Sequence, residues 1–145
     1  MISCDTNILF PACDLSSPLH EPAKAFITGH RLDDGFCLCE QVFLELYCLL
    51  RNPTVCRKPL SGAEAVSMIE AFRSNPAWRI VDVVQDSRIM KEVWGHARSD
   101  PFAYRRIFDA RLAATLRHHG VTEFATCNEK DFASFGFTRV WNPLS

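Results

Sequence analysis

The chain has 145 residues, of which 48% are hydrophobic and 23% charged, and its 16 Lys plus Arg against 17 Asp plus Glu give a formal net charge of −1. That length suits one domain with a real core, and the composition excludes a disordered or low-complexity chain. A charge this near zero excludes polyanion binding by bulk attraction, so any hold on nucleic acid or membrane has to come from a local patch.

Residues 1–4, MISC, read as a short strand, and Asp5, Thr6 and Asn7 follow it directly before the apolar Ile8, Leu9 and Phe10. A carboxylate beside a buried strand is costly unless its charge is compensated. The next segment, SPLHEPAKAFITG, predicts a helix with Ser17 as N-cap, Pro18 at the first position and Gly29 near the stop. FCLC at residues 36–39 is a second strand, and residues 40–51 return to helical spacing until Asn52-Pro53 ends it. SGAEAVSMIEAFRSNP opens with Ser61 and Glu64 in capping-box spacing and closes before Pro76. WRIVDVV (78–84) is the clearest β-rich run. DSRIMKEVWGHARS is a helix, and IFDARLAATLRHHG is another with Gly120 as its stop. EFATC and TRVW supply the last two strands.

Strands alternating with helices indicate an α/β fold with a mainly parallel sheet, in which ligands sit outside the carboxyl ends of the strands. Asp5 lies at such an end, and Asn128 and Asp131 follow the EFATC strand. No internal repeat or linker divides the chain, so residues 1–145 are expected to form a single domain. The seven cysteines (Cys4, Cys13, Cys37, Cys39, Cys48, Cys56, Cys127) include no CxxC pair or zinc ladder. They read as reduced, mostly buried small hydrophobes. No basic-then-apolar leader opens the chain, and its most apolar run, residues 36–50, contains Glu40 and Glu45 and is too short to span a bilayer. A cytoplasmic protein with no membrane association is expected.

Two helices carry an acid on the apolar side. Glu45 stands three residues after Val42 and four before Leu49, and Asp109 is three before Leu112, four before Ala113 and seven before Leu116. The ordinary explanation is a neighbouring arginine for each: Arg105 and Arg106 lie one turn before Asp109, and Arg111 two residues beyond it. Three or four such acids converging would repel one another unless a cation held them. Oxygen donors without a matching His or Cys set favour Mg2+ or Mn2+ over zinc. For a fourth donor, Asn128 offers a carbonyl oxygen, and Asp131, one helical turn on, is the favoured anion; the alternative is that Asp131 merely caps a turn.

DTNIL at Asp5, VFLELYCLLRNP around Glu45, FDARLAATLRHHGV around Asp109, and TCNEKDF followed by GFTRVWNP occur in the order found in PIN-domain nucleases. The chain resembles that family over nearly its whole length, and within it the VapC-type toxins of bacterial toxin–antitoxin modules. The resemblance implies a three-layer α/β/α sandwich with a mainly parallel central sheet and a Mg2+- or Mn2+-dependent endoribonuclease site. The site would use Asp5, Glu45 and Asp109 as metal ligands, completed by Asp131 or the Asn128 position. Many relatives have Asp where Asn128 stands, whereas a subgroup has Asn there and Asp three residues later. The resemblance further implies an RNA substrate, a homodimer, and a cognate antitoxin whose C-terminal segment lies across the active-site groove.

Thr6, Asn7 and Thr126 are candidates for orienting the ligands, with local turn capping the simpler role. Arg51, Arg57 and Lys58 after the Glu45 helix, and Arg105, Arg106 and Arg111 around Asp109, are candidates for a phosphate-binding rim. His118 and His119 suit a helix C-terminus, and Trp78, Trp94 and Trp141 are expected in the core or an interface. Two other readings compete. A non-catalytic PIN-like module binding RNA or protein is favoured by Asn128 and opposed by the retained Asp5, Glu45 and Asp109. An aspartyl phosphatase or receiver is opposed by Asn7, where the first needs a second Asp, and by the lack of an acidic pair at the first strand end.

Overall fold

Each apolar run read as a strand contributes three residues to a parallel sheet: β1 (Ile2–Cys4), β2 (Cys37–Cys39), β3 (Arg79–Val81), β4 (Glu123–Ala125) and β5 (Arg139–Trp141). The computed structural model describes residues 1–99 and 101–145. β1 pairs with β4 and β4 with β5, while β2 pairs with β3. A parallel bridge between Ile2 and Phe36, with the Ile2 N–H donating to the Gly35 carbonyl at 2.8 Å, joins the two groups. The resulting order is β3-β2-β1-β4-β5. β3 ends earlier than WRIVDVV suggests because Asp82 turns the chain: its carboxylate accepts from the Val83 N–H at 2.7 Å, and Asp86 N–H bonds Val84 O.

The helices among the described residues are α1 (Thr6–Cys13), α2 (His20–Gly29), α3 (Glu40–Arg51), α4 (Gly62–Arg73), α5 (Ser87–Arg98), α6 (Arg106–His118) and the single turn α7 (Glu129–Phe132). α1 packs on α2 and α3, and α3 on α4; α5 packs on α6, and α6 on α7. The two groups form the outer layers of an α/β/α sandwich, as expected. Between them lie fully buried residues from every layer, among them Leu38 and Phe124 from the sheet and Ile8, Leu46, Val93 and Leu116 from the helices. None of the helices is long and apolar enough to cross a membrane, among the described residues.

The predicted capping box is present: Ser61 Oγ accepts from Glu64 N–H and Glu64 Oε1 from Ser61 N–H. Gly120, at φ +91°, takes the left-handed conformation that stops α6. α2 begins later than expected, at His20, because Ser17 closes a turn, accepting from Leu19 N–H on its hydroxyl and from His20 N–H on its carbonyl. α1 has no counterpart among the expected elements, since TNILFPAC has weak helical propensity and Pro11 inside it. Asp5 compensates as its N-cap.

All seven cysteines are free; Cys4, Cys37 and Cys39 are buried as expected, whereas Cys48 is exposed. Trp78 is buried with its indole N–H on His30 O, but Trp94 stands 57% exposed.

Candidate active site

The strand order reverses between β1 and β4, since β2 follows on one side of β1 and β5 on the other side of β4. In a parallel α/β sheet the crevice at such a reversal is the usual ligand site. Asp5 leaves β1 at this point, and its N–H donates to Ala125 O at 2.9 Å, extending the ladder one step and setting Asp5 beside Thr126.

Asp5 is 8% exposed. Its Oδ1 accepts the Thr6 N–H at 2.8 Å, while Oδ2 accepts Thr126 Oγ1 at 2.8 Å and Asn7 Nδ2 at 2.9 Å. The N-terminus of α1 adds a favourable field for the anion. Burial nevertheless dominates: it pushes the Asp5 carboxyl up to about 6, and the charges of Glu45 and Asp131 add to the rise against the lowering from the Thr126 and Thr6 hydrogen bonds.

Asp109 sits half-buried in the first turn of α6. Its carboxyl is also pushed up to about 6, first by burial, then by the charges of Asp5, Asp131 and Glu45; Arg106 offsets only a small part. Glu45, on α3, accepts Thr6 Oγ1 on Oε2 at 2.8 Å and Gln41 Nε2 on Oε1 at 3.4 Å. It stands at the margin of the buried stripe, which is Val42, Phe43, Leu46 and Leu50, so Leu49 is a half-buried neighbour and not part of the core as its spacing suggested. Asp131, on α7, is half-buried and within electrostatic reach of both Asp5 and Asp109.

The arginine-partner explanation fails for all four acids: none of Asp5, Glu45, Asp109 and Asp131 belongs to a salt bridge among the described residues. Arg106 instead donates to the Asp131 backbone carbonyl at 2.6 Å and lies over the Phe135 ring at 4.8 Å. Arg51 is held by the Tyr47 hydroxyl, and Arg57 and Lys58 border a separate apolar hollow with Leu15, Leu50 and Leu60. Arg111 lines a hollow beside Asp82 and Asp86 at the end of β3.

Thr6, Asn7 and Thr126 do more than cap locally, although Thr126 Oγ1 does accept the Asn128 N–H at 3.0 Å as a turn cap and Asn7 Nδ2 bonds an acid only two residues away. Thr6 reaches across 39 residues to Glu45, and Asn7 and Thr126 converge on Asp5 Oδ2 from two different strand ends. Asn7 also accepts the Cys127 N–H at 3.0 Å, tying α1 to the loop after β4. Gln41 was missed by the sequence reading, although its place four residues before Glu45 on one helix face was a usable signal. Replacing Asn7 by alanine is expected to cost about 10–100-fold in metal affinity or turnover, the range typical for a group that orients ligands. A Mn2+ titration of activity checks this, and a variant equal to the parent protein contradicts it.

Asp5, Glu45, Asp109 and Asn128 line one groove of about 490 Å³, with Phe10, Pro11, Leu19 and Leu49 forming its apolar side. Asp131 lines an adjoining hollow that shares Cys127 and Asn128 with it. Among the described residues, no three His, Cys, Asp or Glu side chains are close enough to ligate one ion as they stand. The donor set still fits a hard divalent cation: it is carboxylate and amide oxygen, and the Cys127 thiol beside it is pushed up by burial and by the Asp5 charge.

The sequence pattern of the family described as the PIN domain matches residues 2–137. The chain belongs to the PIN-domain family. Among PIN-domain relatives, it is 48% identical over 145 residues to ribonuclease VapC24 of Mycobacterium tuberculosis, covering 100% of this chain and 98% of that protein. Among solved structures, it superposes on VapC20 of Mycobacterium tuberculosis, described as a sarcin–ricin-loop cleaving toxin, with a TM-score of 0.67 and 20% identity, covering 95% of this chain and 97% of that one. A toxin–antitoxin complex from Klebsiella pneumoniae gives a TM-score of 0.61 at 21% identity, covering 99% and 98%. At those identities the two structures establish the PIN fold.

Proposed function

We propose that residues 1–145 act as a single PIN-like domain with divalent-metal-dependent endoribonuclease activity, the toxin of a toxin–antitoxin pair. The observation that carries the reading is the gathering of Asp5, Glu45, Asp109 and Asp131, from four different elements and with no salt bridge to any of them among the described residues, at the switch point of the sheet. The full-length likeness to a protein named ribonuclease VapC24 supports RNA as the substrate.

Asp5 and Asp109 would hold the metal, Glu45 would join them directly or through water, and Asp131 with Asn128 would complete the set or position the attacking water. Mg2+ or Mn2+ bound there would offset charge on the scissile phosphate and lower the pKa of the attacking water. The chain's own contribution is to orient the carboxylates: Thr126, Asn7 and the Thr6 N–H fix Asp5, and Thr6 with Gln41 fixes Glu45. An antitoxin segment laid over the same groove, with its apolar side of Phe10, Pro11, Leu19 and Leu49, would silence the enzyme; the Klebsiella complex supports a partner of that kind. A homodimer in the cytoplasm is part of the same reading.

The test is cleavage of single-stranded RNA by the purified chain with Mg2+ or Mn2+ and with EDTA. Turnover only in the presence of metal is the expected result. Binding of RNA with no turnover under any divalent ion would favour the non-catalytic module instead.

A further inference from the structure

Two large aromatic side chains stand in solvent at the start of α6, the helix that carries Asp109. Phe108, immediately before Asp109, is 63% exposed, and Tyr104, one turn earlier, is 78% exposed. The exposed Arg105 places its guanidinium 5.6 Å from the Tyr104 ring centre. Scattered exposed apolar residues are ordinary on a protein surface, but the position of Phe108 is fixed. Its carbonyl accepts Gln41 Nε2 at 3.1 Å, and the same amide nitrogen lies 3.4 Å from Glu45 Oε1. One side chain thus ties the base of the Phe108 turn to the Glu45 side of the groove.

We propose that Tyr104, Arg105 and Phe108 form a stacking rim that holds unpaired bases of a single-stranded RNA next to the acid groove. The inference rests on the endoribonuclease reading and adds the side chains that hold the substrate's bases. Exposed ring faces bind bases in any sequence, because every base presents a π-face, provided the base is not already stacked in a duplex. The Arg105 cation supplies a phosphate contact that the acidic groove lacks. Charge also separates this occupant from a second copy of the chain. A two-fold contact centred on the rim would set Arg105 against its own copy, whereas a polyanion complements it.

The experiment measures fluorescence anisotropy of a labelled unstructured RNA oligonucleotide, and of the same strand in a full duplex, on the Asp5→Asn background with Mg2+. Phe108→Ala and Tyr104→Ala are each expected to weaken single-strand binding roughly tenfold, to leave duplex binding unchanged, and Phe108→Trp to restore it. Arg105→Ala is expected to lower the slope of log affinity against log salt by about 0.7, and Phe108→Ala to leave that slope alone. Single-strand affinity unchanged in both aromatic variants overturns the rim. So does a change from dimer to monomer on light scattering with RNA affinity unaltered, which would make the face a contact between copies. A parent chain that binds RNA in this way but never cleaves it contradicts the enzymatic reading alone; cleavage with unaltered affinity in the variants contradicts the rim alone.

Discussion

Asp109→Asn is expected to lower metal-dependent RNA cleavage by about 100-fold or more while leaving the fold intact. Asp109 is the most informative of the four acids because its role is separable from structure. Asp5 anchors three hydrogen bonds from Thr6, Asn7 and Thr126 and caps α1, so changing it also disturbs the strand ends. The forces on the Asp109 carboxylate are burial and the repulsion of Asp5, Asp131 and Glu45, with a small offset from Arg106. An amide of the same size removes the charge that would hold the cation, and with it the offset of phosphate charge in the transition state. The loss should exceed the 10–100-fold typical for groups that only orient ligands. In EDTA the melting temperature of the variant should equal or exceed that of the parent, because a repelled, half-buried charge has gone. Cleavage within a few-fold of the parent would remove Asp109 from the machinery.

The metal-free protein should be more stable at pH 5 than at pH 7, and Mn2+ should reverse that preference. Asp5 and Asp109 both titrate near 6 when folded, against an ordinary value of 3.8. Between those values the folded chain holds more protons than the unfolded one, so stability falls as pH rises through the window and levels off above about 6. For the buried Asp5 alone the change from pH 7 to pH 5 is on the order of 1 kcal/mol, or about 2–4 °C in a chain of this size. Asp109 adds a smaller increment, because solvent screens its half-buried carboxylate. The carboxylates pulled in the opposite sense, Asp33, Glu64 and Asp86, are lowered from values near 4 and act below this window. A cation bound only by the folded state adds stability by mass action, and protons compete with it at pH 5. Thermal melts at pH 5 and 7, in EDTA and in Mn2+, check both signs. A metal-free protein that melts lower at pH 5, or an equal Mn2+ increment at both pH values, would contradict the account.

The strands were legible because each is a short apolar run flanked by turn chemistry, and the parallel sheet followed from their alternation with helices. α1 was not, since its stability comes from the Asp5 cap and tertiary packing of Ile8 and Leu9 and not from local propensity. The same residues explain what could and could not be read at the site. Asp5, Glu45 and Asp109 stood out as acids beside apolar positions, a pattern that survives in a single sequence. The wider work of Thr6, Asn7 and Thr126 was hidden because partners of each lie far along the chain: Glu45 is 39 residues from Thr6, Asp5 is 121 from Thr126, and Cys127 is 120 from Asn7. Short polar residues after a strand look like turn formers until the sheet order puts two strand ends side by side. The exclusion of arginine partners likewise needed coordinates: Arg106 is one turn from Asp109 in the chain, yet it is spent on the Asp131 carbonyl and the Phe135 ring.

Crystals soaked in Mn2+ and measured for anomalous scattering put the shared-cation idea to its plainest trial. Density is predicted about 2.1 Å from carboxylate oxygens of both Asp5 and Asp109, with Glu45 turned toward it or bridged by one water. Anomalous density elsewhere on the molecule, with Asp5 and Asp109 untouched at saturating Mn2+, would mean that these acids do not serve one ion.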